Sequence, residues 1–479
     1  MRDSKFFLKI ARSLGYAAFT IALAVCAQAQ DLNYLAVFDG ANGTQPSTVI
    51  QATDGNFYGT TAGGSVGAAE NGNVVRITPA GELTSIYNFC SKPNCADGAR
   101  PLTPPILGSD GNLYGVTSGG GSDLNNAGGW GTVYKLTLGG HLTTLYTFCT
   151  VDPCLDGQSP VGIMLAADGN FYGTTYSAGQ FNAGTLFKMT PAGKFTVVHN
   201  FCSLASCADG KWPSSSPVQG TDGNLYGTTS DGGSAGAGVL YDLTPAGRFN
   251  AVHTFLCRYT ICNRGGEPVG VMQDSKGNLF GTTEFGGIYG EGTIFEITAT
   301  HQFLNLYSFT SGPESDPRAG LTLANDGNFY GTTDGLGGQG TVFQLTSSGT
   351  HTTLYTFSCC NSGEAPETGL FQATNGNLYG AVGFYNGQWN GAIYSFINSL
   401  GPLVQPVPAI GKVGKQILIL GNGLTGSTSV TFNGVPAKFT VVSDTYIKAA
   451  VPTDATTGTV SVVTPSGTLN SNPGFVVTK

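Results

Sequence analysis

The sequence predicts an all-β chain built mainly as a seven-bladed β-propeller closed by its own N-terminal strand. Three observations carry that expectation. The stretch DGNFYGTT at Asp54–Thr61 returns in close variants from Asp110, Asp168, Asp222, Lys276, Asp326 and Asn375, at spacings of 56, 58, 54, 54, 50 and 49 residues. A period near fifty marks a repeat architecture. No stretch after residue 30 holds a helical period. Finally, the strand types count out to a closed ring.

Each unit reads as four short strands. In the sixth they are the apolar run before Asp326-Gly327, then FYGTT (329–333), GTVFQLT (340–346) and THTTLYTF (350–357). Asp-Gly between alternating apolar runs is a hairpin signal, because both residues tolerate positive φ. Phe, Tyr, Val, Leu and Thr favour strands. The second and third strand types each occur seven times, the last third strand being GAIYSFI at 391–397. No fourth strand follows it. The missing one is LNYLAVF at 32–38, so the N-terminal strand completes the seventh sheet, and closure leaves only short, protected edges.

Residues 1–29 read as a secretory signal: Arg2, Lys5, Lys9 and Arg12, an apolar core at 15–26 and an Ala27-Gln28-Ala29 cleavage site. The core is shorter than the ~20 residues of a membrane span. A lipoprotein cleavage at Cys26 is disfavoured by Val25. Removing residues 1–29 takes away three net positive charges, so the formal charge of −8 becomes −11. Such a surface excludes nucleic acid as partner. Few charged residues and 73 glycines suit a loop-rich β scaffold.

Of 11 cysteines, ten remain after cleavage. Eight form the local pairs Cys90/Cys95, Cys149/Cys154, Cys202/Cys207 and Cys257/Cys262, each following the end of a fourth strand. In an exported chain these read as disulfides. A zinc site would need two pairs converging, which separate blades oppose. Cys359 and Cys360 occupy the equivalent later loop, where a bridge between neighbours would be strained.

The DGN-[FL]-YGTT…G-[TV]-VFKITPAG…LTTLYTF pattern, over about 32–397, resembles the Gloeo/Verruco (GloVer) tandem repeat of exported bacterial proteins. Kelch repeats share the period, but their paired-Gly and Trp signature does not fit this sequence. The resemblance implies an exported or surface protein and brings no catalytic residues. A Pro-rich linker is expected at 398–408. Beyond it, GKVGKQILILGNGL, VTFNGVPAKF and GTVSVVTPSG resemble an IPT/TIG domain, which implies an immunoglobulin-like β-sandwich over 409–479. Its net charge is +3 without arginine, which disfavours reading of DNA bases. A spacer or attachment role suits it better.

The repeated Asp-Gly-Asn is explained by the hairpin, and the glycine after each aromatic by close approach of blades. The histidines fall on the fourth, outermost strands, which disfavours a His-based centre. GGSVG (63–67) and GGSAG (232–236) match a nucleophile-elbow string without the following helix. Strand parity places uniform turns on one face and variable loops on the other, where function tends to sit. That second face carries Trp130, Trp212, Trp389, Tyr176, Tyr289 and Tyr385, with Phe181 and several asparagines. Aromatic planes beside amides suit a sugar, and the same rings could simply cap blade ends. Asp39, Asp97, Asp156, Asp209, Glu267, Asp316 and Glu364 precede the proline opening each next blade. They read either as turn chemistry or as an acidic ring holding a cation.

The leading expectation is a monomeric, non-enzymatic, exported protein that binds a glycan or a surface protein, with no cofactor, metal or catalytic residue assigned. The competing ones are a secreted carbohydrate-active enzyme using paired acids among Asp123, Asp231, Glu284, Glu291 and Asp334, and a purely structural envelope component.

Overall fold

The computed structural model describes residues 32–64, 71–121, 129–257, 262–335, 338–358, 366, 368–385, 387–397, 400–472 and 474–478. Residues 1–29, read as the signal, lie outside them. Among the described residues there is no α-helix, only two 3-10 turns at Pro93–Cys95 and Ala205–Cys207. Between residues 32 and 396 these residues form seven antiparallel sheets of four or five strands, following one another along the chain. In the first, Thr44–Pro46 and Ile50–Gln51 pair with Phe57–Gly63, followed by Asn73–Ile77 and Leu83–Asn88. The seventh is made of Phe371–Gln372, Leu378–Val382 and Ala392–Phe396, and its fourth strand is Leu32–Val37. Leu32 pairs with Phe396 and Val37 with Ala392. The N–H of Phe38 then donates to the carbonyl of Gly391 at 3.1 Å.

Second and third strands are buried on both faces, as in Phe329–Thr333 and Thr341–Leu345, because every sheet packs against two others. A separate apolar cluster lies between each successive pair. Tyr58, Val74 and Phe89 meet Leu113 and Tyr134 between sheets one and two. Ala36, Tyr379 and Ile393 meet Phe57, Val75 and Ile77 between seven and one. Each buried Phe or Ile contributes about 1.5–3 kcal/mol. The paired threonines divide the polar work. The first reaches the next sheet, as Thr60 Oγ1 donates to the carbonyl of Thr103 (3.0 Å) and Thr332 Oγ1 to that of Thr368 (3.0 Å). The second pairs with the residue opening the third strand, as in Thr117–Thr132 (2.9 Å) and Thr283–Thr293 (2.8 Å). The buried hydroxyls of these threonines are thereby satisfied.

A glycine–proline contact repeats at every junction. A Cβ on Gly72, Gly131, Gly184, Gly238 or Gly292 would lie 2.5–2.8 Å from Cδ of Pro101, Pro160, Pro213, Pro268 or Pro317 in the following sheet. Gly391 meets Pro46 in the same way at 2.4 Å, across the junction of the chain's ends. The glycines after the aromatic serve a different purpose from the expected approach of blades. A Cβ at Gly115, Gly227 or Gly380 would strike the ring of Tyr134, Tyr241 or Tyr394 on the neighbouring strand of the same sheet. The space is filled by a cross-strand aromatic, not by another sheet.

The Asp-Gly-Asn turns are hairpins, as read. Asp54 Oδ1 accepts the N–H of Asn56 (3.1 Å) and Oδ2 accepts the Tyr58 hydroxyl (2.7 Å), which ties the turn to the strand after it. Where the first strand ends in Gln, its side chain clips neighbouring sheets together. Gln219 Oε1 accepts from Ala167 N (2.8 Å) and Gln51 Oε1 from Thr374 N (3.0 Å).

Fourth strands form the exposed edge, and their aromatic positions stack on the next sheet. Tyr146 lies on Phe195 (4.0 Å), His199 on Phe249 (3.8 Å), His253 on Phe303 (4.6 Å) and Tyr307 on His351 (3.9 Å). In three connections a fourth-strand residue holds the acid of the following loop, which corrects the acidic-ring reading for Asp97, Asp156 and Asp209. Tyr87 donates to Asp97 (2.7 Å) and Tyr146 to Asp156 (2.8 Å), while His199 Nε2 lies 3.1 Å from Asp209. Asp97 and Asp209 are fully buried. Burial alone would raise Asp97; bonds from Tyr87, Ser91 and Lys92 outweigh it and hold the carboxyl below its usual range. Among the described residues no acidic, His or Cys group is arranged to hold a metal ion.

Disulfides join Cys90–Cys95, Cys149–Cys154 and Cys202–Cys207. Cys257 is bridged too. Cys262, read as its partner, opens the strand Cys262–Gln273 and pairs along the backbone with Gly287. The side chain of Cys262 lies outside what the structure describes, so the fourth pair stays an expectation. Cys359, Cys360 and Glu364 also lie outside the described residues.

The C-terminal residues form a sandwich of two four-stranded sheets around Ile419, Val430, Phe432, Ile447, Val462 and Phe475. The Phe432–Val435 turn has positive φ at Asn433 (46°) and Gly434 (84°), the conformation an Asn-Gly hairpin requires. Gln405–Val407, inside the stretch read as linker, is a strand of this domain. Its edge position tolerates Pro406. The domain sits on the tight-turn face. Leu418 and Leu420 pack into the cluster of Tyr58 and Leu107, Thr445 Oγ1 donates to the carbonyl of Thr53 (2.6 Å), and Asn472 donates to that of Leu323 (3.1 Å).

Two outcomes follow from this packing. Gly391 (φ 82°) and Gly349 (φ 87°) share a backbone conformation, but only Gly391 has neighbours within reach of a Cβ. Gly349→Ala should cost about 1–2 kcal/mol and Gly391→Ala about 1–3 kcal/mol more, read from urea unfolding midpoints. Equal losses would show the closing contact to be slack. Burial, with Arg264 nearby, lowers the His253 pKa from 6.5 to about 4. The fold therefore favours its neutral form, a contribution complete above about 6.5 and lost as pH falls toward 4. The thermal midpoint should drop across that window, and less steeply in His253→Phe.

Candidate functional site

The face opposite the C-terminal domain carries the within-sheet loops and the sheet-to-sheet connections. In each connection the residue before the proline adopts a left-handed backbone: Gln45 (φ 53°), Arg100 (57°), Ser159 (51°), Trp212 (58°), Glu267 (54°) and Asp316 (65°). The seventh, Ala365, lies outside the described residues. Such a conformation costs about 1–3 kcal/mol for a residue with a side chain, and the chain holds it with paired bonds. The N–H of Arg100 donates to Asn71 O (2.8 Å), that of Ser159 to Trp130 O (2.9 Å) and that of Trp212 to Ala183 O (2.9 Å). Each acceptor sits just before the glycine that the following proline covers. The Arg100 carbonyl accepts from the N–H and the hydroxyl of Ser118 (3.0 and 2.9 Å), and that of Trp212 from Ser230 Oγ (3.1 Å). The outcome is a set of equivalent stations with fixed backbones and unlike side chains.

Between sheets one to four two of these stations, Arg100 and Ser159, border a cavity of about 830 Å³, within the range of small-molecule sites. Trp130 and Tyr176 supply its aromatic lining and Leu102 and Val161 apolar surface. Ser159, Ser214, Ser230, Thr103 and Asn71 supply polar groups, and Arg100 is the one charged residue among its described lining. Tyr176, 46% exposed, stacks on Trp212 with ring centroids 6.1 Å apart and planes 19° apart. Lys211 Nζ lies 4.3 Å from the Trp212 ring centroid and 3.3 Å from the Asp231 carboxylate.

The sequence-predicted aromatics thus divide. Trp130, Tyr176 and Trp212 come together. Trp389, 66% exposed, borders a neighbouring cavity of about 330 Å³ that shares Leu102. Tyr385 packs on Tyr34 of the closing strand (4.4 Å), so its ring is engaged in the closure of the seventh sheet. Tyr289 stands exposed on a loop of the fifth sheet, away from the cavity. Arg100 escaped the sequence reading. Its signal was its place before Pro101, the position equivalent to Trp212.

Of the candidate acids, Asp231 is engaged with Lys211, and Asp123 lies outside the described residues. Glu284 and Asp334 gather with Asp316 around Arg318, whose nitrogens lie 3.0 Å from Asp316, 3.4 Å from Asp334 and 4.0 Å from Glu284. Burial first, then repulsion from Asp316, pushes the Glu284 carboxyl above its usual range. Glu291 contributes its carbonyl to Asp316 N (3.2 Å).

A repeat-built, all-β chain with a one-sided aromatic cavity and a C-terminal sandwich is the class these features define. Residues 17–219 and 203–394 match the Gloeobacter/Verrucomicrobia repeat, and residues 402–477 match the IPT/TIG domain. The chain belongs to the Gloeobacter/Verrucomicrobia repeat family. No curated protein matches it. Solved structures similar to it include a putative gluconolactonase, 12% identical with a TM-score of 0.38, covering 78% of this chain and 94% of that one. A luciferin-regenerating enzyme is 15% identical, with a TM-score of 0.37 and coverage of 62% and 92%. A puromycin hydrolase is 12% identical, with a TM-score of 0.37 and coverage of 73% and 61%. At these TM-scores the similarities carry no inference about chemistry.

Proposed function

We propose that the seven sheets are the blades of a β-propeller and that the protein is an exported, non-enzymatic binding module. Its partner is a glycan or glycan-bearing surface, engaged through the long-loop face. The observation that carries this reading is the cavity walled by Trp130 and Tyr176, with Trp212 stacked behind. Rigid rings present flat apolar faces for stacking on sugar rings, and the surrounding hydroxyls and the Asn71 amide match sugar hydroxyls. Export accords with the disulfides and with the charged, apolar and A-x-A segments of residues 1–29. Among the described residues, no helix is long and apolar enough to cross a membrane.

Titration of the protein with a panel of polysaccharides, following tryptophan fluorescence and reducing-end release together, tests the reading. A fluorescence change without release is expected. Trp130→Ala and Trp212→Ala should each weaken binding about tenfold or more, and Trp389→Ala much less. Unchanged affinity in both of the first two variants would remove the aromatic platform.

A second reading, a carbohydrate-active enzyme, draws on Glu284, whose raised pKa suits a general acid beside Asp316 and Asp334. It predicts reducing-end release that Glu284→Gln abolishes. Release that persists in Glu284→Gln, or no release at all, counts against it.

A further inference from the structure

We infer that the cavity selects an acidic sugar, a uronate whose ring lies against Trp130 and Tyr176 and whose carboxylate is gripped by Arg100. The inference rests on the glycan reading and names the ligand class of the same site. Arg100 is exposed at the cavity wall, and its guanidinium has no carboxylate partner among the described residues. Two other cations of this face are engaged: Lys211 with Asp231 and the Trp212 ring, and Arg318 with Asp316 and Asp334.

The nearest acid of the same connection, Asp97, is buried below and turned inward. Its oxygens accept from Tyr87, Ser91 and Lys92, so it does not neutralise the arginine. Backbone bonds on both sides of Arg100 fix where its side chain begins. A planar guanidinium with parallel N–H donors matches a carboxylate in two bonds, which a lone ammonium does not. Glu284, Asp316 and Asp334 lie on sheets five and six, and Asp231 of sheet four is paired with Lys211.

The test compares binding of oligogalacturonate, a size-matched neutral gluco-oligosaccharide and a sulfated oligosaccharide by calorimetry. It uses the native chain, Arg100→Gln and Arg100→Lys, with thermal midpoints confirming folding. Oligogalacturonate should bind best. Arg100→Gln should weaken it about tenfold to a hundredfold, as expected for loss of charge-assisted hydrogen bonds, with neutral-sugar binding little changed. Arg100→Lys should fall between. Neutral-sugar binding with no preference for the uronate would overturn this inference and leave the glycan reading standing. Tighter binding of the sulfated oligosaccharide, indifferent to Arg100→Gln, would mark general polyanion attraction and also overturn it. Silence toward all three would overturn both.

Discussion

Strand 32–37 lies on strand 392–396, and the rest of the repeat region depends on that pairing. Without it the seventh sheet would present a bare edge, and the cluster of Ala36, Tyr379 and Ile393 with Phe57 and Val75 would lack one side. The junction is made of the same parts as the others. Gly391 receives Pro46 as Gly72 receives Pro101, and Phe38 donates to the Gly391 carbonyl as Phe89 does to that of Gly72. The ends of the chain meet through an ordinary copy of the internal contact, so closure adds no special strain.

The two faces are separated by the chemistry of their loops. On one side Asp-Gly-Asn turns repeat nearly unchanged, each bound to its own tyrosine, and the C-terminal domain rests there through Leu418, Leu420 and Thr445. A uniform surface is suited to a fixed neighbour. On the other side loop lengths differ and the side chains before each proline are all different. The aromatic cavity forms where Trp130, Tyr176 and Arg100 fall next to one another. The domain contact and the candidate site thus occupy opposite ends of the same sheets.

Much of the framework was legible because periodicity and turn chemistry are local. The spacing of DGN, the orphan strand at 32–38 and the cysteine pairs each specify neighbours within a few residues or within one repeat. What escaped depends on contacts across sheets. The role of Gly115 emerges only when Tyr134 is seen on the adjoining strand. Asp97 looked like a channel-facing charge because its sequence position precedes Pro101, whereas Tyr87 turns it into the loop interior. Tyr385 resembled Tyr176 in sequence context, yet Tyr34 from the far end of the chain claims its ring. Arg100 went unnoticed because no motif marks it. Its significance comes from an unusual backbone angle and from the company of three neighbouring sheets.

The left-handed residues before the prolines bear on how such a protein changes over generations. Their φ is imposed by bonds to main-chain atoms, so the frame is indifferent to what hangs from it. Glutamine, arginine, serine, tryptophan, glutamate and aspartate already occupy equivalent places. A change of letter at one station therefore rewrites the rim chemistry while leaving the ring's architecture alone, much as movable type alters a page without recasting the press.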